Sequence, residues 1–378
     1  MAILTRFKRK LSAPAKAGST PGLIGLDIGS NSIHLCQIRA LDNGLFSVVA
    51  KATIDFSCTR EELLQSPREF KKLVMPVLRE RGFRGKKVVA AMPWDEVKIV
   101  MLTYKSNITN VDAEVVRMLT NRIEGSIDDY VVDYIPVRSN PADEEHMVVA
   151  TISRRDKVNT LLNALLGSGL EVDSLDIAPT ALRRVVAALY AGESAENVMM
   201  VHCYQDESYL TVISGRRLLF NQLVNFGETM LIDEIARTLD VTAEAATDLV
   251  MKYGFDRGPV ARAFKVEDEH DVSATLRQIV KPLFLDLVNE IKRVLVFTAA
   301  ETHGVPVSQV CLLGSVAQWP GSQQLLLSLL DFNEPDERTE FTQVFEDEYD
   351  DTQMPWAGLF SEISIAMGLA LRGMVEYE

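Results

Sequence analysis

The chain has 378 residues, 47% of them hydrophobic and 24% charged, an ordinary globular composition with room for two lobes and large cores that need no disulfide or metal staple. Its formal net charge of −14 argues against a general nucleic-acid binder, whose phosphate contacts require a basic surface. Cys36, Cys58, Cys203 and Cys311 are scattered without a CxxC pair, and the five histidines form no HExxH or zinc pattern, so reduced structural thiols are expected.

Residues 1–22, MAILTRFKRKLSAPAKAGSTPG, lack the apolar core of a signal peptide. No apolar run approaches the ~20 residues of a membrane span, so a cytoplasmic protein is expected. Ile3, Leu4, Phe7 and Leu11 fall at helical spacing beside Arg6, Lys8, Arg9 and Lys10. The segment reads either as a flexible basic tail or as one that rests on an anionic membrane.

Residues 23–29, LIGLDIG, read as a buried strand that turns at Gly29-Ser30. Ile33 to Arg39 returns as its hairpin partner, and Asp42-Asn43-Gly44 turns into a third strand from Leu45 to Thr53. Three strands in succession are antiparallel neighbours, unlike a Rossmann start, which enters a helix after its glycines. A helix is expected around 60–81, stopped by Gly82, then a buried strand ending at Pro93. Residues 97–175 read as an α/β insert of strand, helix, strand, strand, helix and strand, with a polar loop at Ser139–Glu145. Pro179 then opens a helix.

From Asn197, three further strands follow in succession, with a turn at Gly215. Helices are expected after Gly227 and over Thr242–Tyr253, a loop over 254–272, and a long helix from Val272 to Thr302. QVCLLGS is a buried strand, QQLLLSLLD a helix, and ISIAMGLALRG a closing helix of small apolar residues. The stretch 331–351 is strongly acidic, with one Arg and no Lys, and reads as an exposed loop or a docking surface for a basic partner. Both halves thus open with a three-stranded meander followed by helices, the pattern of two similar lobes hinged around a cleft.

The first hairpin carries recognisable chemistry. Its turn glycine permits close backbone approach to phosphate, where N–H groups form an anion nest. Ser30 and Ser32 supply hydroxyl donors, and Asp27, at the strand end, is placed to hold a hydrated divalent cation through water. Asp, Gly and Ser also serve ordinary turn geometry. Trp94 reads as an exposed anchor or as an aromatic in the core or between subdomains, and Glu61-Glu62 and Asp128-Asp129 as solvated acidic pairs. Neither a nucleophile elbow nor a Walker A sequence is present.

GLDIGSNSIHL, at residues 25–35, resembles the opening of PilM-type proteins, the actin-like, FtsA-related component of type IV pilus assembly. DDYVVDYIPV, the stretch from VVATISRRDKV to DIAPTALRRV, LVNFGETMLIDEIARTLDVTAEAATDLVMKYG and ISIAMGLALRG are similar to later parts of that family. The likeness spans roughly 23–375 and is nearest the MshI-like branch, which serves pili of the mannose-sensitive haemagglutinin type. It implies an α/β, actin-like (ribonuclease-H-like) two-lobed fold with an FtsA/PilM-type inserted subdomain. The expected division is a basic tail at 1–22; a first lobe at 23–96, 176–196 and 356–378; an insert at 97–175; and a second lobe at 197–355. The second lobe would comprise a core at about 197–229 and 305–330, an outer subdomain at about 230–304 and an acidic loop at 331–355. The resemblance also implies ATP bound between the lobes. A groove between the first lobe and the insert would dock the cytoplasmic N-terminal tail of PilN, a bitopic inner-membrane protein, drawing this chain to the inner-membrane face.

Four departures from the family pattern bear on the nucleotide. His34 stands where PilM-like proteins carry Lys, removing a fixed cation. The second phosphate strand, Asp-Ile-Gly in the family, is His202-Cys203-Tyr204 here. A glycine pair becomes Phe226-Gly227, followed by Glu228, and a Gly-Gly-Gly-Ala pattern becomes Gly314-Ser315-Val316-Ala317. Nucleotide contact, where retained, falls by this resemblance on Asp27, Gly29, Ser30, Asn31, Ser32, Gly227, Glu228, Gly314 and Ser315, with Asp27 holding Mg2+ through water. Binding of ATP or ADP with Mg2+ stays open, while hydrolysis, which needs a positioned water and preorganised charge, is not expected. The alternative is an active ATPase that switches lobe closure. A sugar- or acetate-kinase relative would need a catalytic Asp in the second lobe, and none stands out.

Overall fold

The computed structural model of the protein describes residues 21–42, 45–138, 144–189, 197–215, 217–255, 267–302, 304–332, 345–347 and 356–374. The basic tail up to residue 20 and nearly all of the acidic segment lie outside the described residues.

The chain opens with the expected meander, β1 (Ile24–Ile28), β2 (Ser32–Ala40) and β3 (Phe46–Asp55). The single helix expected at 60–81 is two, α1 (Arg60–Gln65) and α2 (Pro67–Glu80). Pro67 lacks an N–H and disfavours helix at Ser66, so the break falls between them. Thr59 caps α1 through a capping box with Glu62, so Glu62 has a structural task where a solvated pair was expected. Then come β4 (Lys87–Ala91) and a 3-10 turn at Trp94–Glu96. The insert follows as β5 (Val97–Lys105), α3 (Val111–Thr120), β6 (Tyr130–Arg138) and β7 (Glu145–Arg154). The return path is α4 (Arg155–Gly167), β8 (Glu171–Asp176) and α5 (Ala178–Leu189).

The second lobe starts with β9 (Asn197–Cys203), β10 (Ser208–Ser214) and β11 (Arg217–Val224). Helices α6 (Glu228–Leu239), α7 (Ala243–Tyr253) and α8 (Glu267–Glu301) precede β12 (Val307–Gly314) and α9 (Ser322–Leu330). Helix α8 begins inside the stretch expected as a loop. The chain ends with β13 (Phe345–Asp347) and α10 (Trp356–Ala370).

Three sheets result. The first lobe has the order β13-β3-β2-β1-β4-β8, the second lobe β11-β10-β9-β12, and the insert β5-β7-β6. Within the two lobes, β3-β2-β1-β4 and β11-β10-β9-β12 are the same unit: an antiparallel meander whose first strand pairs in parallel with a later one. The internal duplication is therefore real at the level of topology.

Two boundaries differ from the sequence reading. Residues 155–175 pack with the first lobe, since β8 pairs with β4, and Leu161, Ala164 and Leu165 of α4 join the core beneath β1. The insert proper is the three-stranded sheet and α3. Residues 345–347, expected within a second-lobe loop, instead pair with β3 of the first lobe.

The strands reading as unbroken apolar runs are covered on both faces. In β9, Val198 and Met200 face a core shared with α5 and α10, whereas Met199, Val201 and Cys203 face the helices of the second lobe. Helices α5 and α10 are thus the filling between the two lobe sheets. Their approach is close enough that a Cβ on Gly368 of α10 would lie 2.1 Å from the Ala181 carbonyl oxygen of α5. Asp176, at the end of β8, locks this layer. Its Oδ2 accepts from Arg184 of α5 at 2.5 Å and from Arg372, just past α10, at 2.9 Å, while Oδ1 accepts from the Ile177 N–H. Burial alone would raise the Asp176 carboxyl; Arg184 and Arg372 outweigh that and hold it below its ordinary value of 3.8.

Replacing Gly368 by Ala is expected to destabilise the protein by about 1–3 kcal/mol, since backbone on the other side of the contact cannot rotate away; denaturant midpoints check this. Asp176→Asn leaves the buried Arg184 and the partly exposed Arg372 without their carboxylate and is expected to remove about 3 kcal/mol. Because the folded carboxyl titrates below the unfolded one, its contribution is present above the unfolded value and lost as pH falls through the depressed folded value. The gap between wild type and Asp176→Asn in denaturation midpoint should therefore be full at pH 7 and close as pH drops below 3.8.

Candidate functional site

The site lies where the β1–β2 turn of the first lobe faces the β9–β10 turn of the second. Alternation along β1 sends Ile24, Leu26 and Ile28 into the core and leaves Asp27 on the other face, partly exposed. Asp27 and His34 are paired across β1 and β2. Withdrawal from water raises the Asp27 carboxyl, while His34 and Arg60 act against the rise. Arg60, the first residue of α1, forms a two-pronged ion pair with Asp95. A cation of the protein itself thus stands near the carboxylate that was expected to hold a hydrated metal.

The turn residues meet one another. The Gly29 N–H donates to the Ser32 carbonyl at 2.8 Å, and the Asn31 carbonyl accepts from the Phe56 N–H at 2.9 Å. A Cβ on Gly29 would sit 3.3 Å from the Ser32 carbonyl oxygen, so the close approach at this glycine is to its own hairpin. The imidazole of His34 bridges Ser32 Oγ at 3.0 Å and Thr53 Oγ1 at 3.2 Å. Ser30 is partly buried and Asn31 exposed.

On the second lobe, Gly227, Glu228, Gly314 and Ser315 come together around the end of β9. A Cβ on Gly227 would fall 2.5 Å from the Gln205 carbonyl oxygen, and one on Gly314, whose φ of +85° is left-handed, 2.0 Å from that of Cys203. The first N–H groups of α6 have partners within the protein: Glu228 donates to Tyr204 at 3.1 Å and Thr229 to Gln205 at 2.8 Å. The Ser315 N–H donates to Cys203 at 3.3 Å. Helix N-terminal donors of this type are what an anion would otherwise use.

Between these two halves sit aromatic rings. Tyr204 stacks on Trp94 with centroids 5.0 Å apart and planes at 27°. Tyr209 meets Trp94 edge-on at 6.4 Å and Tyr204 at 6.1 Å, and the His202 ring lies 4.4 Å from Tyr204. The Tyr209 hydroxyl donates to the Trp94 carbonyl at 3.3 Å. Burial, with His34 nearby, pushes His202 down to about 3, so it is neutral at physiological pH. Burial also raises the Tyr204 phenol, with Asp27 adding to the rise. The residues around the Trp94–Tyr204 stack, among them Met92, Ile99, Pro179 and Leu182, are mainly apolar. Val316 is buried in the second-lobe core.

The sequence reading missed Arg60, Asp95 and Tyr209. Arg60 had one available signal, the Thr59–Glu62 capping box that fixes where α1 starts. Among the described residues, no group of three His, Cys, Asp or Glu side chains is placed to hold a metal ion, and no helix is long and apolar enough to cross a membrane.

The fold is actin-like. A solved PilM–PilN type IV pilus biogenesis complex contains a chain that superposes with a TM-score of 0.70 at 20% identity, covering 93% of this chain and 98% of that one. The ethanolamine utilization protein EutJ from Carboxydothermus hydrogenoformans aligns at a TM-score of 0.51 and 14% identity over 94% and 92% of the two chains. A diol dehydratase-reactivating factor in nucleotide-free form aligns at 0.51 and 9% identity over 95% and 100%. Comparison with curated protein sequences gives no match. The family described as type IV pilus assembly protein PilM matches residues 25–374, nearly the whole chain, and the protein belongs to that family.

Proposed function

We propose that this protein is a scaffold of type IV pilus assembly, or of a related secretion machine, at the cytoplasmic face of the inner membrane. It docks the short cytoplasmic tail of a PilN-like bitopic protein, and its ancestral nucleotide cleft is filled by its own side chains. The PilM-family match over 25–374 supports the pilus role, and the structural likeness to the chain from a PilM–PilN complex supports the partner. The insert's place beside the first lobe suits a peptide groove, in which main-chain hydrogen bonds give affinity and side-chain pockets give specificity.

The observation that carries the cleft reading is the Tyr204 ring stacked on Trp94 between the two phosphate-type turns. ATP with Mg2+ would need open backbone donors and an unmatched carboxylate near the metal. The α6 donors are taken by Tyr204 and Gln205, and Arg60 and His34 act electrostatically on Asp27. These residues do not fit the group. Within the family the MshI-like branch is the placement we favour.

Two measurements test this. A synthetic peptide of the PilN-like partner's N-terminal tail should bind the purified protein in calorimetry and retain it on a peptide column; absence of binding would remove the scaffold reading. Titration with ATP or ADP in the presence of Mg2+ should give no saturable heat. Micromolar affinity for either would overturn the filled cleft and favour a nucleotide-switched protein.

A further inference from the structure

Trp94, Asp95 and Glu96 are consecutive residues of one 3-10 turn, and each is tied to a different element. Trp94 stacks on Tyr204 of the second lobe and receives the Tyr209 hydroxyl on its carbonyl. Asp95 holds Arg60 of α1. The Glu96 carboxylate pairs with Lys157 of α4 at 3.4 Å, and its carbonyl accepts from Ser153 Oγ at 2.7 Å. Lys157 in turn reaches Glu61 of α1. The turn is also the neck of the insert, because β5 leaves it at Val97 and β7 returns at Ser153, its direct cross-strand partner.

We infer that Trp94–Glu96 is a latch that sets both the closure of the two lobes and the stance of the insert, with the Trp94–Tyr204 stack in the position a ligand would otherwise use to bridge the lobes. Parting that stack releases the neck and lets the insert move. Beside the stack lie two buried polar atoms, Trp94 Nε1 and His202 Nδ1, with no hydrogen-bond partner among the described residues. Such orphaned groups are rare in a relaxed interior and favour opening or hydration. Aromatic stacking is short-ranged and orientation-dependent, so lobe separation disrupts it early.

The latch rests on the filled-cleft reading, but the two fail separately: calorimetry with nucleotide and peptide tests that reading, whereas the latch is read from distances without either. Cys58 is exposed and the other three cysteines are buried, so a spin label on Cys58 can be paired with a second label. One partner is Met251→Cys, exposed on α7 of the second lobe, and the other is Ala113→Cys, exposed on α3 of the insert. With the latch intact, double electron–electron resonance should give one narrow distance for each pair. Tyr204→Ala should lengthen and broaden both, Tyr204→Phe should leave both as in the parent, and Glu96→Gln should broaden only the insert distance. Unchanged distances in Tyr204→Ala overturn the latch. Should that variant not fold, Glu96→Gln decides, and an insert distance identical to the parent's overturns it as well.

Discussion

The carboxylate of Asp176 is the point on which the first lobe closes. It terminates β8 and draws in one arginine from α5 and another from the end of the chain, 196 positions away. Both helices are then held against each other at backbone distance and become the filling between the two lobe sheets. A charge so placed is tolerated only because its oxygens are matched by guanidinium and backbone donors; without them its desolvation would outweigh its attraction. The fold is therefore closed around its C-terminal helix by electrostatics as well as by apolar packing.

The same economy of donors governs the cleft. In an actin-like fold the two meander turns face each other across the lobes, and their backbone N–H groups must find acceptors. Here those acceptors come from the chain itself. Cys203, Tyr204 and Gln205 offer carbonyls to α6 and to the start of the β12 exit, and the β1–β2 turn folds onto Ser32. Once these bonds are made, Tyr204, just past β9, can stack on Trp94 at the neck of the insert, with Tyr209 of β10 meeting it edge-on. The two lobes therefore also touch through their own rings, beside the α5–α10 layer between their sheets.

Much of this was legible in the residues. The meanders were visible because strands buried on both faces read as unbroken apolar runs and their turns carry Gly, Asn and Asp. The hairpin around Asp27 and the string GLDIGSNSIHL pointed to the family that the full-length match then established. His34, His202 and Tyr204 could be flagged as departures because each changes charge or bulk where the family pattern has Lys, Asp or Gly. The helix break at Ser66-Pro67 was available from proline chemistry and was missed because the apolar face continues across it.

What the sequence determined by itself was local: strand and helix periods, turn chemistry and the family string, all set by residues within a few positions of each other. What only the tertiary structure decided was which distant groups meet. Tyr209 and Trp94 lie 115 positions apart, and nothing in either segment specifies the other. The same holds for Arg60 beside Asp27, for α4 and β8 joining the first lobe rather than the insert, and for residues 345–347 completing the first-lobe sheet. Such pairings follow from which apolar faces are buried together, and burial is a property of the whole packed chain.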